Sequence, residues 1–175
     1  MSVYYHKFEV RWNDLDANRH LANSSYVQYC AQTRMAFMTK HKMGLRELNR
    51  WGIGPVILHE KYSFFKEIYM GQEVFVSLEI DGFAEDGSIY QFLHKFYLPD
   101  GTHCATAEAF GVWIDMMLRK STTPPDDIVE VMNQFKTADT KIFTREDIKA
   151  LPFRAENIDP KVFEEKKWTK INLRP

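Results

Sequence analysis

The residues of this chain best equipped for chemistry crowd into one segment, Asp14-Leu15-Asp16-Ala17-Asn18-Arg19-His20-Leu21-Ala22-Asn23. Asp14, Asp16 and His20 can carry or move protons, and Asn18 and Asn23 can donate and accept hydrogen bonds. The segment lies just before a predicted helix. The first amides of a helix have no intrahelical acceptors, point outward and sit at the positive end of its dipole. Such a terminus can polarise a carbonyl or hold an oxyanion. A carboxylate beside it can attack as a nucleophile or act as base for a water. Together they are sufficient equipment for hydrolysing an activated acyl group. Two other readings stay open from the residues alone. Asp and Asn before a helix are common caps and turn formers. Asp14, Asp16 and His20 could also ligate a metal, although no second His cluster supports them.

A strand must deliver this segment and a helix must receive it. Residues 3–12, VYYHKFEVRW, put Tyr4, His6, Phe8 and Val10 on one face by alternation and predict a first strand. Ser25 and Gln28 have the capping-box spacing. From Tyr26 to about His41 the chain is rich in helix formers and lacks Gly and Pro. Tyr26, Tyr29, Cys30, Thr33 and Phe37 recur at three and four, and Val27, Ala31 and Met38 widen the stripe, which predicts a mostly buried helix. Gly44 is its expected stop, and Leu45 to Trp51 reads as a short second helix ended by Gly52.

Residues 54–118 hold four long aromatic and β-branched runs, GPVILHEKYSFFKEI, QEVFVSLEIDGFAE, SIYQFLHKFYL and HCATAEAFGVWIDM. Met70-Gly71, Asp86-Gly87 and Pro99-Asp100-Gly101 separate them, and the last two predict hairpins. Beyond Arg119, DIVEVMNQF predicts a helix, Thr144 with Asp147 could cap another through TREDIKAL, and KVFEEKKWTKINLRP is amphipathic at best. The fold class is therefore α+β, with an antiparallel sheet of about five strands wrapped around one long central helix and a C-terminal helical extension. That arrangement is the hotdog fold. The expected domains are residues 1–118 for the sheet and helix and 119–175 for an extension packed on them.

Composition narrows the function classes. The chain has 175 residues, 45% of them hydrophobic, which suits one domain with its own core. The near balance of 23 basic and 24 acidic residues argues against broad nucleic-acid binding. Two cysteines, Cys30 and Cys104, exclude a disulfide-rich scaffold and a four-thiolate zinc site, and both read as small buried residues. The start lacks a basic region followed by an apolar one, and no apolar run approaches a membrane span, so a cytoplasmic protein is expected.

RWNDLDANRHLANSSYVQY resembles the signature of the 4-hydroxybenzoyl-CoA thioesterase-like branch of the hotdog superfamily. There a strand ending in an aromatic is followed by D-x-D, a turn, an Asn and a Tyr that begins the central helix. DLDANRHLAN is also similar to the motif of plant acyl-ACP thioesterases. The resemblance covers about residues 3–118. It implies hydrolysis of an acyl thioester, acyl-CoA or acyl-ACP, without a cofactor or metal. It implies that Asp16 attacks the thioester or directs water to it. Asn18 and His20 would assist positioning and proton transfer, the Asn23 amide would polarise the carbonyl, and Tyr26 would pack at the pocket base. Asp14 reads as structural. The chain departs from the family at Ala22-Asn23-Ser24, where Asn-Asn is frequent. The plant enzymes also use a Glu on the next strand, for which Glu67 is the nearest match and Glu60 a second candidate.

The resemblance further implies a homodimer or homotetramer with the acyl tunnel at the dimer interface. Val56, Leu58, His59, Tyr62 and Phe64 are candidates for its lining, and alternation sets Glu60 beside Val56, Leu58, Tyr62 and Phe64. Arg119 and Lys120 read as a solvated pair, with the phosphates of a CoA head as the alternative. A noncatalytic hotdog module that binds acyl thioesters or a protein partner is the competing reading.

Overall fold

The alternation of the first segment produces its strand. In the computed structural model, which describes residues 3–163, β1 runs Tyr4–Glu9, with Tyr4, His6 and Phe8 half-buried and Tyr5, Lys7 and Glu9 exposed. A 3-10 turn over Trp12–Asp14 follows. The central helix α1 spans Asn23–Lys40 and α2 spans Leu45–Trp51. Then come β2 (Ile53–Phe64), β3 (Glu73–Ala84), β4 (Ile89–Tyr97) and β5 (His103–Asp115). The chain continues with α3 (Asp126–Gln134), β6 (Lys136–Phe143) and α4 (Arg145–Lys149). The expected amphipathic end, KVFEEKKWTKINLRP, lies outside the described residues from 164 onward.

The sheet order is β1-β3-β4-β5-β2, antiparallel throughout, and β6 adds to β3 in parallel. This sheet curled over α1 is the hotdog arrangement. β1 pairs with Glu73–Leu78 of β3, and β6 pairs from Ile80 to Ala84, so two segments from opposite ends of the chain share one edge of β3. Strand β6 was not expected from the sequence. The Thr140 hydroxyl donates to the Ile80 carbonyl at 2.8 Å, and Lys141 pairs with Asp81 at 3.0 Å. Gly82 makes room for the Phe143 ring, since a Cβ there would sit 2.0 Å from a ring carbon.

Helix α1 buries one stripe rather than most of its circumference. Tyr26, Tyr29, Cys30, Thr33 and Phe37 are buried with Met38, while Val27 and Ala31 are exposed. Toward its N-terminus the stripe packs with Val74, Val76, Phe96 and Ala105 of the sheet. Toward its C-terminus Phe37 and Met38 join Leu78, Ile80, Tyr90, Phe92 and Trp113, together with Ile128, Met132 and Phe135 of the α3 segment. Each such large apolar side chain contributes about 1.5–3 kcal/mol when fully buried. The helix begins earlier than the Ser25–Gln28 spacing suggests. Its N-cap is Ala22, and the Ser25 hydroxyl donates instead to the Asp14 carbonyl at 2.8 Å. Its C-cap is His41, and Gly44 opens α2 instead of stopping α1.

Candidate active site

Asp14 and Asp16 divide two tasks. Asp14 is buried, and its Oδ2 accepts from the Arg11 amide at 2.8 Å and the Tyr29 hydroxyl at 3.0 Å. Its carbonyl accepts from the Ala22 amide at 2.8 Å. It therefore fixes the loop to the helix. Those bonds leave it poorly placed as a metal ligand, and no group of three His, Cys, Asp or Glu residues among the described ones is arranged to hold a metal.

Asp16 sits at the head of a tight loop closed by an antiparallel bridge between Leu15 and Leu21. Its Oδ1 accepts from the Asn18 amide at 2.8 Å and the His20 amide at 3.3 Å. Arg19, at φ 66°, turns the chain in the left-handed region. Oδ2 of Asp16 has no partner among the described residues. One oxygen is thus spent on the loop and the other is open for chemistry.

The opening of α1 faces the same space. The Ser25 and Tyr26 amides both donate to the Ala22 carbonyl, at 2.8 and 3.3 Å. The Asn23 and Ser24 amides have no acceptor among the described residues. A cavity of about 280 Å³ is lined by Asp16, His20, Asn23 and Tyr26 on one side and by Phe64, Phe65, Lys66 and Glu67 on the other. The Tyr26 ring packs edge-on against Phe64 at 4.9 Å, and burial pushes its phenol up to about 12, so it stays protonated.

The loop is sewn to the segment after β2. Leu21 donates to the Ile68 carbonyl at 2.8 Å, and His20 bridges Tyr69. His20 Nε2 lies 3.4 Å from a Glu67 oxygen, and the Tyr69 hydroxyl donates to the other oxygen. That hydrogen bond raises the Tyr69 phenol above its ordinary range.

The structure therefore brings together Asp16, His20, Asn23, Tyr26, Phe64 and Glu67. Asn18 contributes its backbone amide to Asp16, and its side chain does not line the cavity. Leu58, His59, Glu60 and Tyr62 do not line it either. The alternation assumed along β2 fails because a bulge between Ile57 and His59 shifts the register against β5. Ile57 rather than Val56 or Leu58 packs on the core, and Leu58 is exposed.

Glu60 and Tyr62 belong to a second polar cluster under the middle of α1. Arg34 Nη1 lies 3.2 Å from Glu60 Oε1, with both side chains largely buried, although the approach is not aligned as a hydrogen bond. The Tyr62 hydroxyl donates to Glu60 Oε2 at 3.2 Å. The same guanidinium reaches 3.5 Å from Nε2 of the fully buried His94, whose Nδ1 is 2.7 Å from the Ser77 carbonyl. Burial, with Arg34 beside it, pulls the His94 imidazole down to about 3, so the ring is neutral and its Nδ1–H is the donor to Ser77. Burial pushes the Cys30 thiol up to about 12, which leaves it inert as a nucleophile.

Phe65 and Lys66 also line the cavity, beyond the residues the sequence predicts for it. Their signal was adjacency to Glu67, since a strand that ends in FFKE leaves consecutive residues free to face a loop.

A family model described as the thioesterase-like superfamily matches residues 10–132. None of the curated proteins matches the chain. Among solved structures, the chain is similar to a hypothetical protein from Staphylococcus aureus in complex with CoA, with a TM-score of 0.72 and 18% identity over 90% of this chain and 96% of that one. It is also similar to a 1,4-dihydroxy-2-naphthoyl-CoA thioesterase from Synechocystis, with a TM-score of 0.68 and 16% identity over 75% and 96%. A DHNA-CoA thioesterase from Staphylococcus aureus gives a TM-score of 0.70 and 14% identity over 77% and 91%. At these identities the likeness establishes a shared fold.

Proposed function

The chain belongs to the thioesterase-like superfamily, and we propose that it hydrolyses an acyl-CoA thioester at the cavity between Asp16 and the opening of α1. The observation that carries this reading is the convergence of one unpartnered carboxylate oxygen with the unpartnered Asn23 amide on a single cavity.

A thioester carbonyl oxygen placed on the Asn23 amide is polarised there, and the Ser24 amide is the adjacent donor. Asp16 Oδ2 then acts in one of two ways. As a base it takes a proton from water, whose oxygen bonds to the carbonyl carbon as the C–S bond breaks and the thiol leaves with a proton. As a nucleophile it bonds to that carbon itself, expels the thiol and forms an anhydride that water opens. Both routes give free acid and thiol. In this reading His20, beside Glu67 at 3.4 Å, relays the proton to the leaving sulfur. Tyr26 and Phe64 form the apolar wall for the acyl group. The solved relatives that act on aryl-CoA thioesters, and the one that holds CoA, support CoA over a carrier protein. A second copy of the chain completing the acyl pocket is part of the proposal.

The test is a hydrolysis screen across short, long and aromatic acyl-CoAs, run beside Asp16→Asn. The Asn side chain keeps an acceptor for the Asn18 and His20 amides, so the loop should hold. We expect thioester cleavage by the parent protein and a loss of about 10²–10⁴-fold in the variant. Cleavage by Asp16→Asn at the parent rate would overturn the assignment. Binding of acyl-CoA with no turnover across the screen would make the protein a noncatalytic module.

A further inference from the structure

At the far end of β2 from Phe64 lies a surface that the hydrolase reading leaves unused. Eleven residue steps separate Ile53 from Phe64, about 36 Å along the strand. Here β5 ends in a turn, Met116-Met117-Leu118-Arg119-Lys120. Asp115 Oδ1 accepts from the Met117 and Leu118 amides at 2.8 and 2.7 Å, and the Asp115 amide donates to the Lys120 carbonyl at 2.9 Å. The turn is thus built, with Arg119 at φ 55°. The Met116 amide donates to the Gly52 carbonyl at 2.9 Å, which sets the turn against the end of α2.

The built turn holds apolar side chains in water. Met117 is 89% exposed, Leu118 69% and Met116 50%, with Leu45 of α2 at 64%. Three consecutive exposed apolar side chains on one turn, Met116 to Leu118, are the pattern of an interaction site. Its surroundings are basic. Arg119 and Lys120 follow the apolar tip, and Arg46 and Arg50 stand one turn apart on the exposed side of α2. None of these four forms an ion pair among the described residues. The nearby carboxylate of Asp115 is engaged by the turn amides, and Glu47 is half-buried. In a chain of net charge −1 these four cations are a feature of the turn and of α2, not of a general basic excess.

Exposed apolar side chains on one turn, with Arg119 and Lys120 beside them and Arg46 and Arg50 on α2, match the chemistry of a membrane interface, where tails accept the first and anionic headgroups the second. We infer that the Met116–Lys120 turn with the exposed side of α2 docks this protein on an anionic phospholipid surface. The inference is independent of whether Asp16 cleaves thioesters.

The experiment is co-sedimentation of the full chain with phosphatidylglycerol/phosphatidylcholine vesicles and with pure phosphatidylcholine vesicles, at low and high salt. We expect pelleting with the anionic vesicles, at least tenfold weaker on neutral vesicles or in high salt. Met117→Asp with Leu118→Asp, and separately Arg119→Gln with Lys120→Gln, should each weaken it at least tenfold. The Asp pair should leave the melting temperature, and the hydrolysis rate on a soluble short-chain thioester, unchanged. Equal pelleting with both vesicle types, or variants that bind like the parent, would overturn the inference. So would a drop in sedimented mass of the Asp pair without vesicles, which would make this face a contact between copies. Release from vesicles by free CoA would assign the cations to CoA instead and would also overturn it.

Discussion

The Tyr29 hydroxyl donates to Asp14 Oδ2 at 3.0 Å, joining the middle of a buried helical turn to the loop that carries Asp16. Burial and the Asp14 carboxylate both push the Tyr29 phenol up, so this donor stays protonated across the working range. Tyr29→Phe removes the proton that Asp14 accepts and leaves the ring stacked on Phe8, 4.1 Å away. The expected cost is about 1–3 kcal/mol, because a buried carboxylate oxygen loses one of its donors. A denaturant titration beside the parent protein checks it.

Glu67 holds both His20 and Tyr69. Glu67→Ala removes the acceptor that raises the Tyr69 phenol, so that phenol should ionise at lower pH, as an NMR titration of the ring would show. Thioester hydrolysis should fall about tenfold, or about 1.4 kcal/mol in transition-state stabilisation, as the His20 ring loses its orientation.

His94 makes stability depend on acid. Its folded value of about 3 lies below the ordinary 6.5, so the unfolded chain binds the extra proton first. The stabilisation is complete above 6.5 and is lost as pH falls from there toward about 3. Within that window the loss approaches about 1.4 kcal/mol per pH unit for one proton. His94→Gln should reduce the slope of unfolding free energy against pH by about that amount. An unchanged slope would show that other groups cause the acid sensitivity.

Gly111 marks a close approach of β5 to β2. A Cβ there would lie 2.5 Å from the Val56 carbonyl oxygen and 2.7 Å from the Tyr90 ring. Backbone cannot step aside as a flexible side chain can, so Gly111→Ala should destabilise the fold by about 1–3 kcal/mol. Thermal melting, with hydrogen exchange along β2, would locate the damage.

Much of the architecture is legible in local patterns. Alternation places Tyr4, His6 and Phe8 together, and the Asp86-Gly87 and Pro99-Asp100-Gly101 hairpins separate β3, β4 and β5 where the turn residues stand. Thr144 and Asp147 form the capping box that their spacing suggests. What escapes the sequence is set by distant partners. KTADTKIF carries little apolar alternation because β6 is a half-exposed strand whose place comes from Ile80, Thr140 and the gap above Gly82. Ser25 has the type and spacing of a cap, yet its hydroxyl answers to Asp14, eleven residues back. The bulge at Leu58 turns one extra residue into a reversed face, and no residue type there announces it. The loop from Asp14 to Asn23 reads well because its bonds are short-range, whereas the opposite wall from Phe64 to Glu67 meets it only through the fold.

The sharing of one β3 edge by β1 and β6 has a consequence for synthesis. While the chain emerges from the ribosome, the edge of Ile80–Ala84 that faces away from β4 has no strand beside it until residue 143 is out. A nascent chain paused before that point offers bare backbone to its neighbours. Quick delivery of β6, or a chaperone at that edge, would then decide how much protein matures and how much clumps.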